Sequence, residues 1–256
     1  LQSENFIFDG ITSEEMGLYN VRMQSGLVET PFMGSKSTIT TKVVGKDRPY
    51  FHGVNKDVIQ FNLQFSLLDE KWTPEKTHEI ARWLLHDTYK SFQSSDDLGK
   101  YYYVICINGE NLYKANDKGY VELTFESNAP YAFSPIYLNE YDLSDNTTTE
   151  IIQIENRSNI NKYFYPTIEI ELAGTTTDIT LKNLSDGGRE FSFTGLQSGE
   201  TISVDNENKY IISDVPSVYR FAEFNKNWFR MVYGINQIEV TGECIITVRT
   251  QYPIIQ

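Results

Sequence analysis

Apolar and polar residues alternate with period two along most of the chain. The clearest run is 58–67, where Ile59, Phe61, Leu63, Phe65 and Leu67 alternate with Gln60, Asn62, Gln64 and Ser66. Successive side chains of a strand point to opposite faces, so this run predicts a strand with one buried face. The same reading covers Val121, Leu123 and Phe125 between Glu122, Thr124 and Glu126, and Ile168, Ile170 and Leu172 around Glu169 and Glu171. Short strands are also predicted at Ile179–Leu181, Phe191–Thr194, Ile202–Val204, Tyr210–Ser213, Gln237–Val240 and Cys244–Val248. Turn signals punctuate them at Asn108-Gly109, Asp117-Lys118-Gly119, Ser185 to Gly188, and Gly199.

One segment has a different period. Thr73-Pro74-Glu75 supplies an N-cap, a proline for the first helical position and an acid for the first turn. Ile80, Trp83, Leu84 and Thr88 follow at helical spacing, beside a second row of Ala81 and Leu85, and predict a helix from Pro74 to Phe92. Ser91 to Asp97 reads as its exit loop. Further on, Ser127 to Pro135 holds two prolines among small polar residues and marks a boundary. The chain is therefore expected to be mainly β, with an N-terminal domain (1–133) of strands and one helix. A C-terminal domain (134–256) made only of strands predicts a β-sandwich.

Composition narrows the function. Of 256 residues, 14% are aromatic, which suits half-buried strands. Lys plus Arg number 22 against 35 for Asp plus Glu, a net charge of −13. Phosphate-gripping surfaces need clustered cations, and the densest stretch, Lys42 to Arg48, has three basic residues among apolar ones. Binding to nucleic acid or to an anionic membrane is not expected. No apolar run approaches the length of a membrane span, and Leu1 to Asn5 has none of the features of a secretory signal.

Candidate chemistry is sparse, and neither a catalytic site, a metal nor a cofactor is expected. Cys106 and Cys244 sit in apolar strand-like runs and read as free thiols in the core. His78 and His86 lie eight positions apart, two helical turns rather than the one that lets two ligands share a metal, and His52 has no ligand partner in sequence. Asp205 to Asn208 lacks the glycine and closing glutamate of a calcium loop and reads as a turn. Glu169 and Glu171 stand about 7 Å apart on one strand face, a glycosidase-like separation that is also the ordinary solvent face of a strand. Trp228 and Phe229 could offer a sugar-stacking platform, or pack in a core with Phe221, Phe224, Met231 and Tyr233. Three Asn-x-Ser/Thr triplets begin at Asn146, Asn156 and Asn183 and would matter only in a secretory pathway.

The informative residues form a sequence-long pattern. Phe6-Ile7-Phe8-Asp9-Gly10-Ile11-Thr12-Ser13 followed by Gly17-Leu18-Tyr19 resembles the start of the distal tail (Dit) family of siphophages infecting Gram-positive bacteria. The strand at Ile59–Leu67, the single helix and Pro130-Tyr131-Ala132 are similar to the rest of that family's N-terminal domain. Tyr165 to Ile170, Gly199 to Asp205, Trp228-Phe229 and Gly234 to Ile238 resemble its C-terminal sandwich.

The resemblance implies a β-barrel-like N-terminal domain that assembles into a homo-hexameric ring, and a galectin-like C-terminal β-sandwich. It implies a virion structural protein, made in the bacterial cytoplasm. The ring would join the major tail-tube protein to the tail-associated lysin or tail-spike hub at the tail tip. DNA would pass through its channel without being held, and six such acidic chains suit that passage. Subunit contacts are expected from Phe6, Phe8 and Ile11 in the opening segment, and from Phe32, Tyr50 and Phe51 in the glycine-punctuated stretch Pro31 to Asn55. The alternative is that these residues form internal hairpins packed on their own barrel. The rival functions are a module that binds cell-wall polysaccharide and, last, a wall hydrolase using a carboxylate pair.

Overall fold

The computed structural model describes residues 5–20, 34–67, 71–115 and 118–255. It divides into two compact units. The first runs to Ser134 and takes the chain back at Ile254; the second is Pro135–Pro253.

The first unit contains β1 (Phe6–Phe8), β2 (Ile11–Thr12), β3 (Leu18–Asn20), β4 (Lys36–Thr41), β5 (Tyr50–Lys56) and β6 (Gln60–Leu67). These are followed by α1 (Pro74–Leu84), β7 (Lys90–Ser94), β8 (Asp97–Ala115), β9 (Lys118–Ser127) and β10 (Ala132–Phe133). The main sheet has the order β2-β1-β7-β8-β9-β6-β3 and curls into a half-barrel over the helix. β6 and β9 carry the clearest alternation, and their register sets Phe61 opposite Phe125, Leu63 opposite Leu123 and Phe65 opposite Val121. The hollow of the half-barrel is filled with rings. Phe6 lies 5.6 Å from both Trp83 and Phe92, Phe8 meets Trp83 edge-on at 6.0 Å, and Phe61 stacks on Phe125 at 5.9 Å. Such pairs add about 0.5–1.5 kcal/mol each beyond the area they bury. The Trp83 indole N–H is satisfied by the Phe8 carbonyl at 3.1 Å, which ties α1 to β1.

The helix begins where the capping residues put it. The Thr73 hydroxyl accepts the Lys76 amide at 3.2 Å, and Pro74 occupies the first helical position. Its end differs from expectation: α1 stops at Leu84, and 90–94 is a strand rather than helix and exit loop. The Ile80, Trp83, Leu84 row reaches Thr88 with no further apolar residue, while a slot in the sheet lies between β1 and β8. Phe92 fills it, opposite Phe8 on one side and Tyr102 on the other. A second expected feature is also absent. Asn108-Gly109 is not a turn, because β8 runs through it with two register shifts, between Cys106 and Asn108 and between Gly109 and Leu112. Glycine in a strand marks a bulge as readily as a turn. The chain instead reverses between β8 and β9.

The second unit contains β11 (Tyr137–Leu143), β12 (Thr149–Asn156), β13 (Thr167–Leu172), β14 (Ile179–Asn183) and β15 (Arg189–Phe193). They are followed by β16 (Thr201–Asp205), β17 (Tyr210–Ser213), β18 (Gly234–Thr241) and β19 (Cys244–Thr250). The last strand, β20 (Pro253–Ile254), pairs with β10. Two antiparallel sheets, β11-β19-β13-β16-β17 and β12-β18-β14-β15, pack as a sandwich. Ile168, Ile170, Val204 and Ile246 of one sheet and Ile154, Leu181, Phe193 and Val240 of the other form a single core. The mainly β expectation, a barrel-like first half with one helix and a sandwich second half, holds.

A sandwich needs its long connections tied down, because buried backbone groups without partners are costly. The connection 214–233 is held at one end by a buried ion pair. Arg220 Nε and Nη2 each donate to the Glu200 carboxylate at 2.8 Å, and the Ser213 hydroxyl and Gln197 amide add hydrogen bonds at 2.6 and 2.9 Å. Burial alone would raise the Glu200 carboxyl, but the hydrogen bonds from Arg220, Ser213 and Gln197 outweigh it and hold the group below its usual pKa. Its stabilising contribution is therefore complete above the unfolded value of about 4.3 and is lost as pH falls through the lower folded value. Glu200→Ala should cost about 3 kcal/mol at pH 7 by leaving the buried Arg220 guanidinium only its 3.4 Å contact with Glu223. Urea unfolding of the two proteins should show that gap constant from neutral pH down to about 5 and narrowing below about 4.

Candidate interaction surfaces

The expected contact residues fall into two groups. Phe6 and Phe8 are 3% and 1% exposed and belong to the ring-filled core of their own unit. This packing is the internal alternative, and it leaves neither side chain on the surface. Ile11, on β2 at the sheet edge, is partly exposed, and Phe32 lies outside the described residues. Tyr50 and Phe51 stand on β5, 51% and 64% exposed.

β4 and β5 form a two-stranded sheet of their own, and every residue of the pair except Gly53 is exposed. Ile39, Val43, Val44 and Val54 are exposed with the two aromatics. The base of the hairpin is closed by its own two flanks. The Asp57 amide donates to the Ser35 carbonyl at 2.9 Å, and the Ser35 hydroxyl bonds the Asp57 carboxylate. Gly34 is buried there and leaves no room for a side chain, since a Cβ would overlap the Asp57 carbonyl. From 36 to 56 the arm carries five basic residues, Lys36, Lys42, Lys46, Arg48 and Lys56, against the single acid Asp47. The arm is thus an apolar, cationic projection from an acidic chain.

The remaining candidates are structural. Glu169 and Glu171 lie exposed on the outer face of β13, opposite Ser203 and Thr201, with no wall beside them. Asp205 closes a turn by accepting the Glu207 and Asn208 amides. His52 is bonded to the Thr41 hydroxyl, and His86 stacks on Phe8. Among the described residues no group of three or more His, Cys, Asp or Glu is placed to hold a metal ion. Burial pushes the Cys106 thiol up and the Cys244 thiol up to about 12, so neither is a ready thiolate near neutral pH. No described helix is long and apolar enough to cross a membrane. Trp228 is packed against Phe224 at 4.9 Å, and Phe229 and Met231 are buried, so no stacking platform forms there. Phe221 and Tyr233, which the core reading included, are exposed at 53% and 74%.

The three Asn-x-Ser/Thr triplets have a physical explanation. Asn146, Asn156 and Asn183 are buried, and each side-chain oxygen accepts the amide two residues on, from Thr148, Ser158 and Ser185. Their amide groups reach distant carbonyls. Asn156 donates to Met231 and Val232, and Asn183 to Arg230. Asn206 accepts the Phe229 amide at 2.8 Å, and Asn236 both accepts from and donates to the Val232 backbone. Four buried side-chain amides thus satisfy the run Phe229–Val232.

That run forms part of an open cleft of about 920 Å³, lined by Asn159, Asn161, Lys162, Tyr163, Tyr165 and Tyr233, with Ile160 and Val232 beneath. The Arg230 guanidinium lies 3.7 Å from the Tyr163 ring centre and is held by Asp186 at 2.7 Å. Sequence reasoning passed over this place. The run Asn159 to Tyr165, rich in amides and aromatics and without period two, was the available signal.

Comparison with known proteins resolves the class. The family described as phage tail protein N-terminal domain matches residues 1–129, and the phage tail C-terminal domain family matches 131–250. The chain belongs to this phage tail protein family. Neither matched family is an enzyme family. The tail protein is 29% identical to the SPbeta prophage-derived protein YomH of Bacillus subtilis (strain 168), over 98% of both chains. Its fold is that of the SPP1 Dit protein, with a TM-score of 0.69 at 13% identity over 96% of this chain and 98% of that one. A chain of the phage P2 baseplate is similar at a TM-score of 0.52 and 9% identity, over 96% and 97%. The tail protein therefore has a Dit-like fold, and the resemblance read from the residues holds.

Core and arm should separate on mutation. Phe8→Ala is expected to lower the unfolding free energy by about 3–5 kcal/mol. Phe51→Ser, on the exposed arm, should change it by less than about 0.5 kcal/mol. Urea unfolding of the full chain measures both.

Proposed function

We propose that this tail protein is the distal hub of a long-tailed phage. Six copies close into a ring that joins the tail tube to the adsorption apparatus at the tail tip, in the virion. The observation that carries this is the end-to-end correspondence, through both units, with the fold of SPP1 Dit, whose structure is described as a paradigm of the hub adsorption apparatus in phages infecting Gram-positive bacteria. The partners are then the tail-tube protein on one side and the tail-associated lysin or spike hub on the other. The first domain, 1–133, supplies the ring and 134–256 the outer module.

The β4–β5 arm supports ring closure. A lone two-stranded hairpin is marginal in water, and apolar residues exposed along one call for a partner surface. The charge points to another copy: a cationic arm meets a chain in which all other segments together carry the excess of acids. A contact between two different patches repeats head to tail and closes when the rotation permits. Ile11, Tyr50 and Phe51 are the contact residues this reading keeps. DNA crosses the channel unbound, since an acidic ring does not retain a polyanion.

Light scattering at tens of micromolar should give six times 29.5 kDa, with negative-stain images showing a ring with a central hole. Phe51→Asp and Lys46→Glu should each return the species to monomer with the thermal midpoint unchanged. Raising salt from about 0.05 to 1 M should weaken the wild-type ring, because the Debye length falls well below the arm's dimensions. A ring that both variants form as well as the wild type would sink the arm as its contact.

A further inference from the structure

We infer that the tyrosine cleft of the second unit binds a saccharide. The proposal goes beyond the hub reading and stands without it.

The first observation is the display of aromatic faces. Tyr233 is 74% exposed and Tyr163 45% exposed, on the walls of one cleft. Exposed rings lie elsewhere on the molecule, but these converge with Tyr165 on a common volume. A pyranose presents C–H faces that lie flat on aromatic rings and a rim of hydroxyls that needs both donors and acceptors. The cleft supplies both kinds of partner. The rings offer apolar faces with a polar tip, and the Asn161 amide can donate and accept.

The second observation is preorganisation. Arg230 covers one side of Tyr163 at 3.7 Å from the ring centre. Its guanidinium is fixed by Asp186 at 2.7 and 3.2 Å, and its carbonyl by the Asn183 amide at 3.0 Å. Asn156 and Asn236 pin Val232, the residue before Tyr233. The Tyr163 ring and the backbone leading into Tyr233 are therefore set before any ligand arrives, which lowers the ordering cost at binding.

Charge and size select the class. Acids outnumber bases 35 to 22 in the chain, yet the cleft is lined by no carboxylate and by one lysine, Lys162. One cation is too few for a nucleic-acid backbone. Ile160 and Val232 are too small a floor for the apolar anchors of a docked helix. A neutral or acidic glycan fits, and about 920 Å³ lies at the upper end of small-ligand sites.

The test is co-sedimentation of the full chain with purified Bacillus subtilis cell walls, with N-acetylchitotriose as a neutral competitor and trigalacturonate as an acidic one. Retention is expected, with release by one competitor identifying which kind of sugar is read. Tyr233→Ala and Tyr163→Ala should weaken retention at least tenfold, while Tyr219→Ala, an 89% exposed tyrosine outside the cleft, should retain wild-type binding. Circular dichroism melting of each variant checks the fold, and the high exposure of Tyr233 makes its variant the safer of the two. No retention, or retention unchanged in Tyr233→Ala, overturns the proposal. So does a concentration-dependent mass that Tyr233→Ala abolishes, because a second copy would then occupy the cleft. Ring formation is read separately by mass, so failure of either reading leaves the other standing.

Discussion

The second unit depends on satisfying the backbone of one buried, non-repetitive segment. Phe229–Val232 lies outside the named strands, with a single bridge between Met231 and Phe164, and Phe229 and Met231 are buried. Asn156, Asn183, Asn206 and Asn236 provide the missing hydrogen bonds, with Phe164 exchanging two more with Met231. A side-chain amide suits this work because it offers a donor and an acceptor from one planar group. Each is itself buried, so losing a partner leaves a polar group stranded at a cost of about 1–3 kcal/mol. Arg230, Val232 and Tyr233 take their places from this segment, and the cleft is a consequence of how it is held.

The first unit rests on dispersion and ring packing instead. Among the described residues its sheet is open, with β2 and β3 at the two ends. An open sheet with one buried face needs a filler, and Phe6, Phe8, Phe65, Trp83, Phe92 and Phe125 supply it together with α1. Those residues are committed to the interior. The β4–β5 arm lies outside that core, its base closed by hydrogen bonds between Ser35 and Asp57. The first unit thus keeps its rings inside and carries exposed apolar and basic side chains on the arm.

Local pattern was readable where one face of one element decides burial. The strands at 60–67, 118–127 and 167–172 and the start of α1 at Pro74 follow from alternation and capping alone. The end of α1 was not readable, since 85–92 has no helix-breaking residue and a vacancy between β1 and β8 made Phe92 part of a strand. Gly109 misled for a related reason: glycine permits a turn and a bulge alike, and the pairing of β8 with β9 chose the bulge. The asparagine triplets looked like modification signals because an Asx turn, with a side-chain oxygen accepting the amide two residues on, favours the same small hydroxyl residues.

By itself the sequence determined the mainly β class and the apolar side of strands such as β6, β9 and β13, because strand periodicity and helix capping act over a few residues. Its recurring motifs also carried the resemblance to distal tail proteins. Tertiary structure alone decided that Phe6 and Phe8 are interior while Tyr50 and Phe51 are not, since both pairs are aromatic residues in strands. Whether such a residue packs or projects depends on what lies across from its strand. The same holds for the cleft: Tyr163 and Tyr233 are 70 positions apart in sequence, and the fold brings them to one volume, with the Phe164–Met231 bridge joining the chain beside each.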